Sequence, residues 1–379
     1  MEFDFTEEQE MLRNTARDFL VKECPATFVR DMEKDEKGYT TELWSKMVDA
    51  GWMGLEIPEE YGGNGGNFID LCVLIEEMGR ACLPGPFFST MVLGGLTILA
   101  AGNEQQKKEF LPKIANGKLI VTAALTDAGG RCGPSPSAVV TRAVTEDASY
   151  VINGTKLFVT DAHVADYILC VTKTKDDEGI TVFVVDAKTP GVKCTLLKTL
   201  AGDKQCEVIF DNVKVPKENI LGKVDMGWPI AEETLERAVA AKCIEMVGGA
   251  RITVEMSVDY AKQRVQFGHP IGSFQAIQHH CANMLTDLDG SWFAAYQAAW
   301  KISQGLPATM EVSIAKAWIG EAYRRITLLG HQIFGGIGFC EDNDINLYSR
   351  RANTGALIFG DTAFYYEKVA RQLIERGEL

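Results

Sequence analysis

Histidine is the side chain best suited to bind a metal or to move a proton near neutral pH, and the sequence contains five. They stand at positions 163, 269, 279, 280 and 331. This spacing matches no metal-binding pattern, because adjacent helical residues such as His279 and His280 point about 100° apart. The sequence therefore predicts no metal site.

Glycine, serine and cysteine patterns exclude further classes of chemistry. The sequence has no Gly-x-Gly-x-x-Gly loop, phosphate-binding loop or Gly-x-Ser-x-Gly turn, so neither a dinucleotide crevice nor a serine hydrolase is supported. The ten cysteines include no Cys-x-x-Cys pair and lack the dense spacing of a disulfide framework. We therefore expect reduced, mostly buried thiols and a cytoplasmic protein.

Composition limits the partners of the chain. Its 379 residues are 46% hydrophobic and 24% charged, which is typical of a globular protein with two or three packed units. The net charge is -14, and the basic residues form no run of the kind that binds nucleic acid or membrane surfaces. No apolar stretch of about 18 residues is present to span a bilayer. An anionic ligand would need local donors, because the overall field repels it.

Helix signals dominate the two ends of the chain. Thr6 and Gln9 form a capping-box pattern ahead of an amphipathic repeat, and helical spacing continues through a first domain of residues 1–119. Long helical repeats return in a last domain of residues 226–379, where their length suits a bundle of about four helices. The order of elements is therefore helical at both ends.

The middle of the chain, residues 120–225, has the texture of a β-domain. Runs of β-branched and aromatic residues occur at 150–152, 167–171 and 181–185. Turn signals such as Asn153-Gly154 separate them, which predicts a small antiparallel β-domain. Together the three regions predict an α+β protein with three domains.

Four segments distributed along nearly the whole chain carry a family resemblance, at residues 152–160 (INGTKLFVT), 210–222 (FDNVKVPKENILG), 264–275 (RVQFGHPIGSFQ) and 332–338 (QIFGGIG). In sequence and in order they resemble segments of the acyl-CoA dehydrogenase family. The resemblance implies an N-terminal helical domain, a middle β-barrel or sandwich and a C-terminal four-helix bundle. It also implies an FAD-dependent oxidoreductase that acts on a carbon–carbon bond of an acyl-CoA thioester.

The resemblance assigns the flavin ring to the middle domain. The residue matching Phe158 packs beside the flavin, and the hydroxyl matching Thr160 hydrogen-bonds the ring nitrogen that receives hydride. Because residues two apart in a strand share a side, Phe158 and Thr160 are expected on one face. Thr126 also carries over as a cofactor contact. Without the resemblance, Phe158 would be an ordinary core residue and Thr160 an ordinary strand residue.

The resemblance assigns the rest of FAD to the C-terminal domain. Arg264 matches an arginine that meets the FAD phosphates across a subunit boundary, where a planar fork of donors suits a pyrophosphate. Gln332, Gly335 and Gly336 match a turn whose backbone approaches the cofactor of the partner subunit. Without the resemblance, Arg264 would be a surface ion-pair residue and the glycines a helix terminator. Further implied cofactor contacts are Phe267, Gln275 and Thr362.

The resemblance also implies partners. FAD would lie extended between the β-domain and the C-terminal bundle and touch a second subunit, so a homodimer or homotetramer is expected. Acyl-CoA is the expected substrate, and an electron-transferring flavoprotein is the expected electron acceptor. Nucleic acid and a membrane are not expected partners.

Two departures from the family concern the reaction itself. The first is the loop after Thr126, where the family usually has Gly-x-Gly-Ser-Asp and this chain reads AGGRCGPS at residues 128–135. The family's serine and aspartate therefore do not carry over. Arg131 indicates either altered contacts near the thioester or a solvated loop charge.

The second departure is the catalytic base. The family's usual glutamate is the third residue of Ile-Tyr-Glu-Gly-Thr, but residues 358–362 here read Ile-Phe-Gly-Asp-Thr, with Gly360 at that position. Some members carry the base on the first long C-terminal helix, directly before an arginine, where this chain has Glu236 and Arg237. Three alternatives stay open: Glu236 as base, Asp361 as base, or no conventional base. In the last two cases Glu236 would be a helix residue paired with a neighbouring Arg or Lys.

The acyl end of the pocket matches residues 84–94 (PGPFFSTMVLG). Ser89 and Met91 are candidate substrate contacts there, beside Arg237 and Gly360. The missing side chain at Gly360 would leave room for a branched or cyclic acyl group. Aromatic and methionine residues at helical spacing are nevertheless more often simple core.

Three functions follow from these observations. The first is FAD-dependent dehydrogenation of a branched or cyclic acyl-CoA. The second is an elimination or lyase reaction without net oxidation, which the missing glutamate motivates. The third is a catalytically silent FAD- or CoA-binding subunit, against which the intact cofactor motifs argue.

Overall fold

The computed structural model of the protein describes residues 4–129, 134–175 and 179–378. The chain divides into two compact units. The first, which we call the helical unit, comprises Met1–Arg30, Phe68–Leu83 and Val239–Leu379. The second, the sheet unit, comprises Asp31–Asn67 and Pro84–Ala238. The three-domain division after residues 119 and 225 stays a prediction.

Helices occupy both ends of the described chain, which confirms the α, β, α order. They are α1 (Glu7–Glu23), α2 (Ala26–Lys34), α3 (Thr41–Asp49), α4 (Phe68–Arg80), α5 (Leu96–Ala101), α6 (Glu104–Ala115), α7 (Gly227–Gln263), α8 (Gln275–Ser303), α9 (Thr309–Phe334), α10 (Ile345–Leu357) and α11 (Thr362–Glu375). A π-helical segment, Ser89–Gly95, precedes α5.

The start of α1 shows how the sequence sets a helix boundary. The Thr6 hydroxyl accepts from the Gln9 backbone N–H at 3.2 Å, and the Thr6 N–H donates to the Gln9 side-chain oxygen at 3.1 Å. These two bonds satisfy donors that a helix start leaves without partners. The predicted capping box is confirmed.

Eight strands of the sheet unit form one sheet. They are β1 (Val121–Ala124), β2 (Arg142–Glu146), β3 (Ser149–Thr160), β4 (Tyr167–Lys173), β5 (Ile180–Asp186), β6 (Val192–Leu197), β7 (Gln205–Pro216) and β8 (Ile220–Leu221). The order is β6-β7-β3-β2-β4-β5-β8, with β1 paired to β4. The three predicted β runs lie in β3, β4 and β5 and are confirmed. A short hairpin of β9 (Val265–Gln266) and β10 (His269–Pro270) belongs to the helical unit.

The sheet is mixed: most strand pairs are antiparallel, as expected, but the expectation of an antiparallel domain was wrong for the pairs that β4 forms with β1 and β2. β1 runs parallel to β4, with Val121 opposite Tyr167 and Ala124 opposite Cys170. Because β2 and β3 intervene in sequence, the chain has the length that a parallel crossover requires. Local turn signals cannot reveal such a long-range pairing.

Asn153 and Gly154 lie inside β3, not in the turn that the sequence predicted. The register of β3 against β7 shifts between Ile152 and Gly154. A Cβ on Gly154 would lie 2.5 Å from Thr141 Oγ1 and 2.7 Å from Thr141 Cα. The glycine therefore marks a strand irregularity where two backbones approach closely.

We expect Gly154→Ala to lower the free energy of unfolding by about 1–3 kcal/mol, because the added methyl group overpacks the contact with Thr141. Urea unfolding measures the change. Gly290→Ala is the matched control, since a Cβ there meets Trp318 at an ordinary 3.4 Å and alanine favours α8. Equal losses in the two variants would contradict the assignment of a close approach at Gly154.

Candidate active site

The end of β3 presents an aromatic ring to solvent. Phe158 has a φ of +57° and is 56% exposed, and the register of β3 against β7 shifts between Lys156 and Val159. Val159 is buried and Thr160 is partly exposed. Lys156, two residues before Phe158, has no exposed surface. The alternation of side chains between the two faces of β3, which was assumed from the sequence, is therefore broken at this register shift. It holds only from Phe158 to Thr160.

Backbone bonds bring Thr126 beside this end of β3. The Leu157 N–H donates to the Thr126 carbonyl at 2.9 Å, and the Ala128 N–H donates to the Thr155 carbonyl at 3.0 Å. The Thr126 side chain is exposed. The sheet unit thus gathers three of the predicted cofactor residues, which are Thr126, Phe158 and Thr160.

A buried ion pair anchors the same junction. Lys156 Nζ lies 2.6 Å from Asp127 Oδ2, and both side chains have 0% exposed surface. Asp127 Oδ1 accepts from the Thr141 N–H at 2.9 Å and also from the Thr141 hydroxyl. Because Asp127 follows Thr126 and Lys156 precedes Phe158 by two residues, the pair joins the two candidate flavin contacts. The sequence gives no sign of this pair, since no short motif links two charges 29 residues apart.

Glu236 lies on the part of α7 that belongs to the sheet unit. Its Oε1 is buried and has no hydrogen-bond partner among the described residues. Arg237 pairs with Glu233 instead, at 2.9 Å. Two residues before Glu236, α7 is fixed by a 2.9 Å hydrogen bond between the hydroxyls of Thr234 and Thr97. A buried acceptor without a partner costs about 1–3 kcal/mol, so its retention points to a function.

In the helical unit, buried Lys316 holds the segment that contains Gly360. Its ammonium donates to the carbonyls of Gly355, Ala356 and Gly360 at 2.7, 3.0 and 3.1 Å. Three donors thus meet three acceptors at the C-terminal end of α10. Burial lowers the pKa of Lys316 to about 8. Nothing in the spacing of the sequence indicated this lysine.

Asp361 and Gly360 have local structural roles. Asp361 Oδ1 accepts from the Phe364 N–H at 2.8 Å and so caps α11. Gly360 has a φ of +112°, and a Cβ there would lie 2.8 Å from Phe364 Cδ1 and 3.0 Å from Tyr365 Cε2. The space expected from the missing side chain is therefore partly filled by these two rings.

Candidate cofactor contacts of the helical unit lie on its surface. Arg264 directly follows α7 and is exposed, and Gln275 is the exposed first residue of α8. Phe267, between β9 and β10, is 90% exposed with a φ of +55°. A large apolar ring so exposed is typical of a contact surface.

The turn after α9 is open enough for a ligand to approach its backbone. Gly335 has a φ of +64°, and an added Cβ at Gly335 or Gly336 would meet no atom within 4 Å. Gln332 is exposed in the last turn of α9. The space beside both glycines fits a cofactor that lies against the main chain. Thr362, in contrast, donates its hydroxyl to Glu321 at 3.2 Å.

Ser89 and Met91 are both fully buried in the π-helical segment. The Ser89 hydroxyl donates to Asp161 Oδ2 at 2.7 Å and lies 3.1 Å from the Pro86 carbonyl. Neither side chain presents surface to a ligand in this conformation.

The loop at residues 128–135, which departs from the family's sequence, can be followed only in part. Residues 130–133, including Arg131, lie outside the described residues.

Comparison with known proteins identifies the class of enzyme. Residues 6–118, 122–213 and 225–374 match the N-terminal, middle and C-terminal domains of acyl-CoA dehydrogenase. These matches define an oxidoreductase that acts on the CH–CH bond of acyl-CoA thioesters. The chain belongs to the acyl-CoA dehydrogenase family, whose members are FAD-dependent flavoproteins.

Individual relatives cover almost the whole chain. A 3-(aryl)acrylate reductase of Clostridium sporogenes is 34% identical over 98% of this chain and 100% of its own length. The CarC subunit of the caffeyl-CoA reductase–Etf complex of Acetobacterium woodii is 31% identical over 98% and 100%. The structure of butyryl-CoA dehydrogenase from Megasphaera elsdenii superposes with a TM-score of 0.91 at 29% identity, covering 99% of this chain and 100% of that one. The family and fold predicted from the sequence are confirmed.

In the described part of the chain, no helix is both long enough and apolar enough to cross a membrane.

A double-mutant cycle tests the buried ion pair. We expect Asp127→Asn and Lys156→Met each to cost about 3–5 kcal/mol of unfolding free energy, because each leaves a buried charge without its partner. The double variant should lose much less than the sum of the two. Arg371→Met, which removes an exposed pair with Glu367, should change little in the same urea unfolding assay. Additive losses at positions 127 and 156 would contradict the coupling.

Proposed function

We propose that the protein dehydrogenates an acyl-CoA thioester, with FAD as the oxidant and Glu236 as the base. The buried Oε1 of Glu236, which has no hydrogen-bond partner among the described residues, carries this proposal. A carboxylate oxygen without a donor keeps a lone pair available for a proton. Glu236 would take the proton next to the thioester carbonyl.

FAD supplies the hydride acceptor for this reaction. The exposed ring of Phe158 and the hydroxyls of Thr160 and Thr126 would meet the flavin. The Asp127–Lys156 pair keeps these groups in place without touching the cofactor, because it has no exposed surface.

The remainder of FAD would be held by the helical unit of one subunit or another. The exposed fork of Arg264 suits the pyrophosphate, and the open turn at Gly335 and Gly336 suits a close approach to the main chain. Phe267, Gln275 and Gln332 are exposed and could contact the same molecule. A homodimer or homotetramer follows as part of the proposal.

Asp361 is the weaker candidate for the base. One of its carboxylate oxygens already accepts from the first turn of α11, which favours a capping role. Its proximity to Gly360 in sequence therefore does not require a role in proton transfer.

A branched or cyclic acyl group is the substrate class that we favour. Relatives named for aryl and caffeyl groups support a ring-bearing thioester. Gly360 supports it less directly, since Phe364 and Tyr365 occupy part of the space beside it. The Etf named with one relative supports an electron-transferring flavoprotein as electron partner, and free thiols support a cytoplasmic location.

Isosteric substitutions of the two acids separate their roles. We expect Glu236→Gln to lower kcat at least about 100-fold, because a carboxamide cannot accept the proton. Asp361→Asn should leave kcat nearly unchanged, since asparagine caps a helix about as well as aspartate. Turnover with an artificial electron acceptor measures both. Glu232→Gln, an exposed change on the same helix, is the control.

Two outcomes would overturn the assignment of the base. Near-normal turnover in Glu236→Gln with FAD bound would exclude Glu236. A large loss in Asp361→Asn, with Glu236→Gln active, would transfer the role to Asp361.

Cofactor binding can be tested separately from turnover. We expect Arg264→Met to raise the Kd for FAD about 10–100-fold through the loss of charge-assisted hydrogen bonds. Quenching of FAD fluorescence measures the affinity, and the apoprotein should unfold at an unchanged urea concentration. Arg376→Met, an exposed change near the C-terminus, is the control. Equal FAD affinities in both variants would contradict a phosphate contact at Arg264.

A further inference from the structure

Two cysteines and a histidine lie together on the β6–β7 side of the sheet. Cys206 on β7 has 0% exposed surface, whereas Cys194 on β6 is exposed. Cys206 Sγ lies 3.8 Å from His163 Nδ1. All three residues belong to the sheet unit, and the proposed dehydrogenation uses none of them.

The hydrogen bonds of His163 determine which tautomer its neutral ring adopts. Its Nε2 lies 3.1 Å from the carbonyl of Lys37, which can only accept. The ring proton of neutral His163 is therefore on Nε2, and Nδ1 carries a lone pair. That lone pair can accept the thiol proton of Cys206.

The strand register puts the two sulfur atoms on one face of the sheet. Cys194 is opposite Val208, and Leu196 is opposite Cys206. Cross-strand partners share a face, so Cys194 and Cys206 are diagonal neighbours on it. The neighbouring sulfur of Cys206 lowers the pKa of the Cys194 thiol, although partial burial opposes the shift. The neighbouring Cys194 sulfur, together with burial, raises the pKa of Cys206.

We propose that Cys194 and Cys206 form a reversible dithiol site that reacts with hydroperoxides. The Cys194 thiolate attacks one oxygen of the peroxide, so that the O–O bond breaks and hydroxide (or an alkoxide) leaves. The product is a sulfenic acid on Cys194. The sulfur of Cys206 then attacks Cys194, the S–O bond breaks, and a disulfide and water form.

His163 and the edge strand explain how the second step can occur. The thiol proton of Cys206 passes to Nδ1 of His163 and leaves with the hydroxide as water. Diagonal strand neighbours are about 7–8 Å apart at Cα, beyond the usual disulfide range, so the backbone must move for the bond to close. Strand β6 pairs only with β7 in the described sheet, and its residues are mostly exposed, so a shift of β6 would disturb one strand pairing and little packed surface. A strained disulfide of this kind is readily reduced.

The position of Cys206 links this site to the candidate flavin strand. Cys206 is the cross-strand partner of Val159, and Gln205 is the partner of Thr160. Closure of the disulfide would therefore act on the same end of β3 that carries Phe158. The dithiol site itself does not depend on the proposed dehydrogenation.

Peptide mapping of the unmodified protein tests the site without any substitution. The purified protein is treated with hydrogen peroxide, alkylated with iodoacetamide and analysed by mass spectrometry. We expect a Cys194–Cys206 linked peptide that disappears on reduction. Without peroxide, Cys194 should alkylate at least about tenfold faster than Cys340 at neutral pH, because the neighbouring Cys206 lowers the pKa of the Cys194 thiol. Cys340 is the internal reference, because it is exposed as well. Its Sγ lies 4.0 Å from the Gly336 carbonyl.

Variants separate the two thiols. In Cys206→Ser, a sulfenic acid on Cys194 should accumulate and be trapped by dimedone, whereas Cys194→Ser should give neither trapping at this position nor the linked peptide. The proposal is overturned if Cys194 alkylates no faster than Cys340. It is equally overturned if peroxide carries Cys194 to a sulfinic acid with no linked peptide.

Discussion

The candidate site depends on the buried ion pair between Asp127 and Lys156. Removing two charges from water costs several kcal/mol per ion, and the pair is tolerable only because Thr141 adds two hydrogen bonds to the carboxylate. In return, the pair ties the loop of Thr126 to the strand irregularity before Phe158. The aromatic ring of Phe158 can therefore be exposed at the end of an otherwise well-packed sheet.

Glu76 and Glu77 show how a buried acid is satisfied when its role is structural. Glu76 accepts from Arg251 at 2.9 Å and from the Tyr296 hydroxyl at 2.8 Å. Glu77 accepts two bonds from Arg17, at 2.6 and 2.9 Å. These carboxylates are fully engaged in structure, as a buried charge requires. The buried Oε1 of Glu236 has no such donor among the described residues, and this contrast supports a chemical role.

Local patterns in the sequence predicted the local structure. The Thr6 capping box and the β-branched runs act over a few residues, so their signals survive in a single sequence. The Asn153-Gly154 pair was misleading, because its glycine is needed where Thr141, the residue before β2, approaches closely. Long-range contacts of this kind leave no spacing rule in the sequence.

In the candidate site, too, local motifs indicated some residues, whereas long-range contacts were missed. Family resemblance indicated Phe158, Thr160 and Glu236 by motif, and their roles remain predictions. The ion pair that supports Phe158 and the lysine that holds the Gly360 segment were both missed, since each joins elements far apart in the chain. Ser89 looked like a pocket hydroxyl, but its bond to Asp161 becomes visible only in the folded protein.

The central claim is that an FAD-loaded form of this protein oxidises an acyl-CoA thioester. The most direct test is an anaerobic titration of that form with linear, branched and ring-bearing thioesters while the visible flavin absorption is recorded. The account predicts bleaching by at least one class, most strongly by a branched or ring-bearing thioester. A flavin that stays oxidised with every thioester would contradict it.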